Sequence, residues 1–164
     1  MEVSKSAQSF MKMATHSLKF RLFLIKDLPM GYLAGLRVRE LTTEKCVVTI
    51  PYKYLTKNPF RSMYFACLSM AAEMSTGALG VAATYGQTPS VAMLVQGIEG
   101  EFSKKAVGLI SFICNDGPAV FQAVAKTKET GDGETVTCTS VGTDESGEEV
   151  ARFKLTWSFK ARSK

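Results

Sequence analysis

Between Arg61 and Glu99 the chain carries a single charged side chain, Glu73. It stands in the run SMYFACLSMAAEMSTGALGVAATYG, whose first part has helical spacing and is apolar nearly all round, the mark of a buried helix. A carboxylate there is costly unless it is paired, hydrogen-bonded or protonated. Perturbed acids mark functional sites in some proteins and structural pairs in others, and catalysis is one leading candidate. On a helix, Ser69 and Thr76 lie within a turn of Glu73 and share its side, where their hydroxyls can reach its carboxylate. The plainer alternative is a buried acid held by those hydroxyls, or paired with a Lys or Arg across an interface. Other reactive groups are scarce. The one histidine, His16, lies near the N-terminus without a visible acid or nucleophile beside it. Cys46, Cys67, Cys114 and Cys138 contain no CxxC pair, so their spacing offers neither a zinc site nor a disulfide framework. Each falls in an apolar or strand-like run and reads as a small buried hydrophobe. No metal and no cofactor is expected.

The elements that must position Glu73 can be read from periodicity. From about Ser4 to Leu28, Phe10, Met11, Ala14, Leu18, Leu22 and Ile25 recur at three- and four-residue steps, which predicts one amphipathic helix ended by Pro29 and Gly31. Such a helix either packs over the edge of a sheet, the favoured reading, or lies on a membrane as a basic amphipathic helix. LRVREL (36–41) and CVVTIP (46–51) read as a hairpin about the turn TTEK. TKNPFRS is a loop with a turn signal at Asn58-Pro59, and Ser62 is placed to cap the helix running to about Gly77 or a little beyond. Small residues recur at almost every turn of that helix, so it should be wrapped closely by its neighbours. Strands follow at Val91–Phe102 and Ala106–Asn115, joined through SKK as a hairpin, and then at Glu134–Val141 and Val150–Arg162. The segment AVFQAVAKTKETGDG between them fits a strand and turn or a short helix. The pattern is α+β, an antiparallel sheet curled round a helix. At 164 residues it forms one domain (1–164), with an N-terminal helical extension (1–29) and a core (30–162).

Composition narrows the class. Hydrophobic residues make up 46% and charged residues 21%, which excludes a disordered chain. The net charge of +5 is concentrated early, with eleven Lys/Arg against four Asp/Glu in residues 1–61. That excess suits phosphate groups of a substrate or an anionic membrane, or is simply a solvated surface. No compact basic cluster or nucleic-acid-binding motif accompanies it, so nucleic acid is not an expected partner. The apolar run after Arg61 is long enough to span a bilayer, but Glu73 at its middle and several Ser, Thr and Gly argue against a membrane span. MEVSKSAQSF has no apolar core with a cleavage site, which points to a cytoplasmic protein.

The order of hairpin, Asn-containing loop, long buried helix and long strands resembles the hotdog fold of acyl-CoA thioesterases. More narrowly, Asn58-Pro59-Phe60-Arg61-Ser62-Met63-Tyr64-Phe65-Ala66, then Ala71-Ala72-Glu73 and Gly77, is similar to a thioesterase-like hotdog family related to the phenylacetyl-CoA-type thioesterases. In those enzymes a His-Gly-Gly opens the helix and a catalytic acid follows nine residues after the His. Tyr64 takes the place of the His here, Phe65-Ala66 take the glycines, and Glu73 falls on the acid.

The resemblance implies hydrolysis of an acyl-CoA or acyl-carrier thioester, aryl or fatty. Glu73 would be base or nucleophile, the Phe65 and Ala66 amides an oxyanion hole, Asn58 an orienter of water or substrate, and Tyr64 a hydrogen-bond donor. Packing is the plainer role for Tyr64, and a turn role is as good for Asn58. Lys104 and Lys105 either reach coenzyme A phosphates or, more simply, sit in a solvated turn. The resemblance also implies a homodimer, or a tetramer of dimers, with sites formed between subunits. The rival reading is a non-catalytic hotdog module that binds an acyl group or lipid, motivated by the absent His-Gly-Gly. A dehydratase or isomerase on this fold usually calls for a helix-region His, and no His follows position 16.

Overall fold

The computed structural model describes residues 4–162. The N-terminal stretch is three helices where one was expected: α1 (Lys5–Thr15), α2 (Ser17–Asp27) and α3 (Pro29–Ala34). The break falls at His16, whose extended backbone ends α1 and whose Nδ1 accepts the Lys19 amide at 3.4 Å to cap α2. Pro29 opens α3 instead of stopping the chain, because the first helical position has no backbone bond for proline to lose.

β1 (Arg37–Leu41) and β2 (Cys46–Pro51) form the expected hairpin. Thr42 Oγ1 holds its turn by accepting the Glu44 and Lys45 amides at 3.1 Å each. A 3₁₀ turn at Tyr54–Thr56 leads to α4 (Phe65–Thr84). Then follow β3 (Val91–Phe102), β4 (Leu109–Cys114), α5 (Gly117–Thr130), β5 (Glu134–Thr143) and β6 (Glu149–Ala161). The segment open to two readings is therefore a helix. Its start docks so closely on the β1–β2 turn that a Cβ on Gly117 would stand 2.1 Å from the Thr43 carbonyl oxygen.

The six strands form one sheet in the order β1-β2-β4-β5-β6-β3, antiparallel throughout. This overturns the hairpin expected about SKK. β3 pairs along its whole length with β6, whereas β4 lies between β2 and β5, so residues 103–108 are a crossover along the end of the sheet. Lys104 is held there by Asp144 at 2.9 Å and by Glu148, both on the β5–β6 turn, and Met63 donates its amide to Ala106 at 2.8 Å. Ser146, ahead of Lys104, holds the Asp144 carboxyl well below the usual carboxylate range.

α4 begins at Phe65 rather than Ser62 and runs seven residues past Gly77. By length and composition it could cross a membrane, but here it is the core helix. The sheet closes over it, with Phe112, Phe153, Phe159, Leu79 and Leu155 fully buried at the contact. Two polar pins fix its rotation: Ser75 Oγ meets Ser140 Oγ of β5 at 2.7 Å, and Trp157 Nε1 of β6 donates to Thr76 Oγ1 at 3.0 Å. A curved antiparallel sheet around one long helix is the hotdog fold.

One edge of the sheet stands open. β3 is twelve residues long, is paired on one side only, and exposes Leu94, Val95, Ile98 and Phe102. A long apolar edge of this kind is a template for pairing with another strand.

Candidate active site

Glu73 lies two turns into α4, where the helix passes beneath the N-terminal helices. Its carboxylate reaches a cavity of about 220 Å³ walled by Phe10, Phe20 and Phe23 on one side and Met93 and Trp157 on the other. Gly77, one turn on, makes the space: a Cβ there would lie 3.1 Å from Glu73 Oε1 and 3.1 Å from the Trp157 ring. Among the described residues the carboxylate has neither an ion-pair nor a hydrogen-bond partner, and since no unpartnered buried oxygen is sealed from solvent, it opens to the cavity. Desolvation raises its pKa above the ordinary value of 4.5.

The expected hydroxyl support is not made. Ser69 Oγ donates to the Phe65 carbonyl at 3.0 Å, and Thr76 Oγ1 donates to the Glu73 backbone carbonyl at 3.0 Å while accepting from Trp157. On a helix a Ser or Thr hydroxyl satisfies the carbonyl one turn back more readily than it reaches a neighbouring side chain. Thr76 therefore acts through Trp157, keeping the indole against the acid. The aromatic walls were not legible as site residues. Inward alternation along β6 marks Trp157 for the core, but nothing local ties Phe10, Phe20 and Phe23 to Glu73, fifty or more positions later.

The second group of expected residues gathers at the start of α4. Asn58 organises this loop: its Nδ2 donates to Ser62 Oγ at 3.1 Å and to the Met63 carbonyl at 3.2 Å, and its Oδ1 accepts the Phe60 amide at 2.9 Å. Both amide hydrogens are spent inside the loop, so Asn58 sets where α4 starts and has none left for substrate. Ser62 is drawn into the same network, and α4 consequently has no side-chain cap. Tyr64 occupies the cap position, exposed, its ring edge-on to Phe65 at 4.9 Å. The first free turn amides, on Phe65 and Ala66, have no acceptor among the described residues. Phe65 lines a cavity of about 560 Å³ with Leu68, Phe102, Lys104 and Lys105. Uncapped amides and the positive end of the helix dipole can stabilise an oxyanion.

Glu73 lies eight positions after Phe65, which is about 12 Å along a helix axis. A reacting carbonyl must sit about 3 Å from both its nucleophile or base and its oxyanion donors. Within one chain, therefore, the Glu73 carboxylate and the Phe65 and Ala66 amides cannot converge on one such carbonyl.

The fold also gathers Cys114, Asp116 and Cys138, with ligand atoms within 4.8 Å of one another, although their spacing shows no metal motif. Asp116 Oδ2 accepts the Thr139 amide at 2.6 Å and the Cys114 thiol at 3.7 Å. The hydrogen bond with Cys114, and then burial, push the Cys138 pKa far up.

Residues 19–159 match the family described as Domain of unknown function (DUF4442). Among proteins of curated function none matches the chain. Among solved structures, a Pseudomonas aeruginosa protein described as a probable thioesterase superposes with a TM-score of 0.74 at 22% identity, covering 88% of this chain and 95% of that one. A Chlorobaculum tepidum protein of unknown function gives 0.73 at 15% identity over 92% and 99%. A Haemophilus influenzae thioesterase gives 0.60 at 11% identity over 85% and 88%. Likeness at these identities bears on the fold, and it agrees with the sheet order and central helix above. With its hotdog fold and its match over residues 19–159, the chain belongs to the DUF4442 family.

Proposed function

We propose that the protein is a cytoplasmic thioesterase that hydrolyses acyl-CoA or acyl-carrier thioesters, with Glu73 as base or nucleophile and the Phe65 and Ala66 amides as the oxyanion hole. The observation that carries this reading is the unpartnered Glu73 carboxylate in an apolar cavity. Such an acid is weakly solvated and free to act on a carbonyl carbon or on a water beside it. As the tetrahedral intermediate forms, negative charge moves to the thioester oxygen, where amide donors stabilise it, and collapse expels the thiolate. The aromatic walls suit an aryl or fatty acyl group.

A homodimer completes the site. The open β3 edge supports two-fold antiparallel pairing with a second copy, which would extend the sheet and bring the α4 start of one subunit toward Glu73 of the other. Four free cysteines, all buried, suit a reducing compartment.

The test is hydrolysis of a panel of acyl-CoAs by the purified protein, with Glu73→Gln as control. Turnover that depends on Glu73 supports the reading, and hydrolysis that survives the substitution removes Glu73 from the mechanism. The nearly all-apolar lining around Glu73 favours one alternative, a module that holds an acyl chain without cleaving it. That module would retain ligand through purification and show no turnover.

A further inference from the structure

The N-terminal helices carry a surface that the proposed chemistry does not use. α2 buries Phe20 and Leu24 but leaves Leu18, Leu22 and Ile25 exposed at 62%, 59% and 49%. These positions form one stripe on the opposite side of the helix, and Arg21 stands within it, three residues after Leu18 and four before Ile25. Met30 and Leu33 of α3 continue the exposed apolar surface. Beside it opens a pocket of about 300 Å³ lined by Arg21, Arg37 and Lys53 together with Leu33 and the exposed Leu55. Arg21 is braced over the Tyr32 ring, its guanidinium carbon 5.5 Å from the ring centre. No acidic side chain lines the pocket, and none of the three cations forms an ion pair among the described residues. Lys19 and Lys26 flank the stripe, against a single acid on α2, Asp27.

Exposed leucines alone would fit many partners. Their continuity with an acid-free cationic pocket selects one that offers hydrocarbon and negative charge side by side. We propose that this face docks on an anionic lipid bilayer, with Leu18, Leu22 and Ile25 inserted among the acyl chains and a lipid phosphate held by Arg21, Arg37 and Lys53. α2 is apolar on two faces, one packed on the core and one left exposed, and an exposed apolar stripe beside basic residues can attach reversibly to acidic headgroups. Docking would set the protein beside acyl chains, but it stands on its own observations and does not depend on the thioesterase reading.

The experiment is vesicle flotation of the full chain with phosphatidylcholine alone and with phosphatidylcholine mixed with phosphatidylglycerol, at low and high salt. The expected result is binding to the mixed vesicles, weakened by salt. Arg21→Gln and Lys53→Gln should each lower the partition coefficient about fivefold. Serine at Leu18, Leu22 or Ile25 should lower it about tenfold or more per side chain. Circular dichroism and thermal melts should be unchanged in these variants, which reports that they fold. Wild-type protein that stays with the soluble fraction, or floats equally well after the serine substitutions, overturns the proposal. Binding of inorganic phosphate without vesicle binding would assign the pocket to a soluble anion, and self-association abolished by the serine variants without vesicle binding would assign the stripe to contact between copies. Either result also overturns it.

Discussion

The two ends of α4's active stretch are built in opposite ways. Around Glu73 the helix is covered by aromatic rings, the acid has no partner, and the surroundings hold charge at a cost. Around Phe65 the helix is bare, its amides are uncapped, and two lysines stand on the rim. One end holds an unpartnered carboxylate and lacks a donor; the other holds uncapped amides and lacks a carboxylate. A single helix separates them by about 12 Å, so under the proposed function each is half of a site, and the open β3 edge would join it to its complement in a second copy.

The sharpest way to break the contrast is to remove the acid. Glu73→Gln should lower kcat by about 10²–10⁴-fold, measured by thiol release, while circular dichroism stays native. At the other end, Phe65→Pro deletes one amide donor. Proline is tolerated at a first helical position, and Tyr64 already has the extended backbone that precedes proline, with φ −65° and ψ 132°. The expected loss is about 10²–10³-fold, with Phe65→Ala as the control that keeps the amide and should retain most activity. Gly77→Val should crowd the carboxylate and Trp157 together, costing about 10²-fold in kcat through misplacement and about 1–3 kcal/mol of stability, read by denaturant melts.

The smallest expected effect concerns pH. The folded pKa of Glu73 is raised by desolvation, so folding carries no ionisation penalty below the ordinary value of 4.5. Above it the unfolded chain ionises first, and stability falls as pH rises toward the folded pKa. Glu73→Gln should therefore melt higher than wild type at neutral pH, on the order of 2–4 °C for each kcal/mol recovered, and the gap should close on acidification. For the same reason the acidic limb of kcat should have its inflection above 4.5.

How much of this could be read from residues alone depended on whether the cause was local. α4 was legible because a helix wrapped on all sides is apolar on all sides, and Glu73 was legible as its lone charge. The helix runs seven residues past Gly77 because Gly77 and Gly80 are interior positions packed against Trp157, Met93 and Phe159. The order of β3 and β4 was misread because a short SKK connection suggests a hairpin, while the real partner of β3 lies fifty residues further on. Within the site, Ser69 and Thr76 were placed on the right face but bonded to carbonyls. Asn58 was marked by its turn chemistry, and that chemistry is what occupies it. The walls around Glu73 come from three aromatic residues brought in by α1 and α2, a juxtaposition that no spacing in the chain records.

The measurement that bears most directly on a site shared between two copies is complementation. Glu73→Gln and Phe65→Pro proteins, each inactive alone, are mixed, partly unfolded to exchange subunits, refolded and assayed. If the acid and the amides of one site come from different subunits, every mixed dimer carries one intact site, and an equal mixture should recover roughly a quarter of wild-type activity. Mixed dimers, confirmed by native mass spectrometry, that remain as inactive as their parents would contradict it.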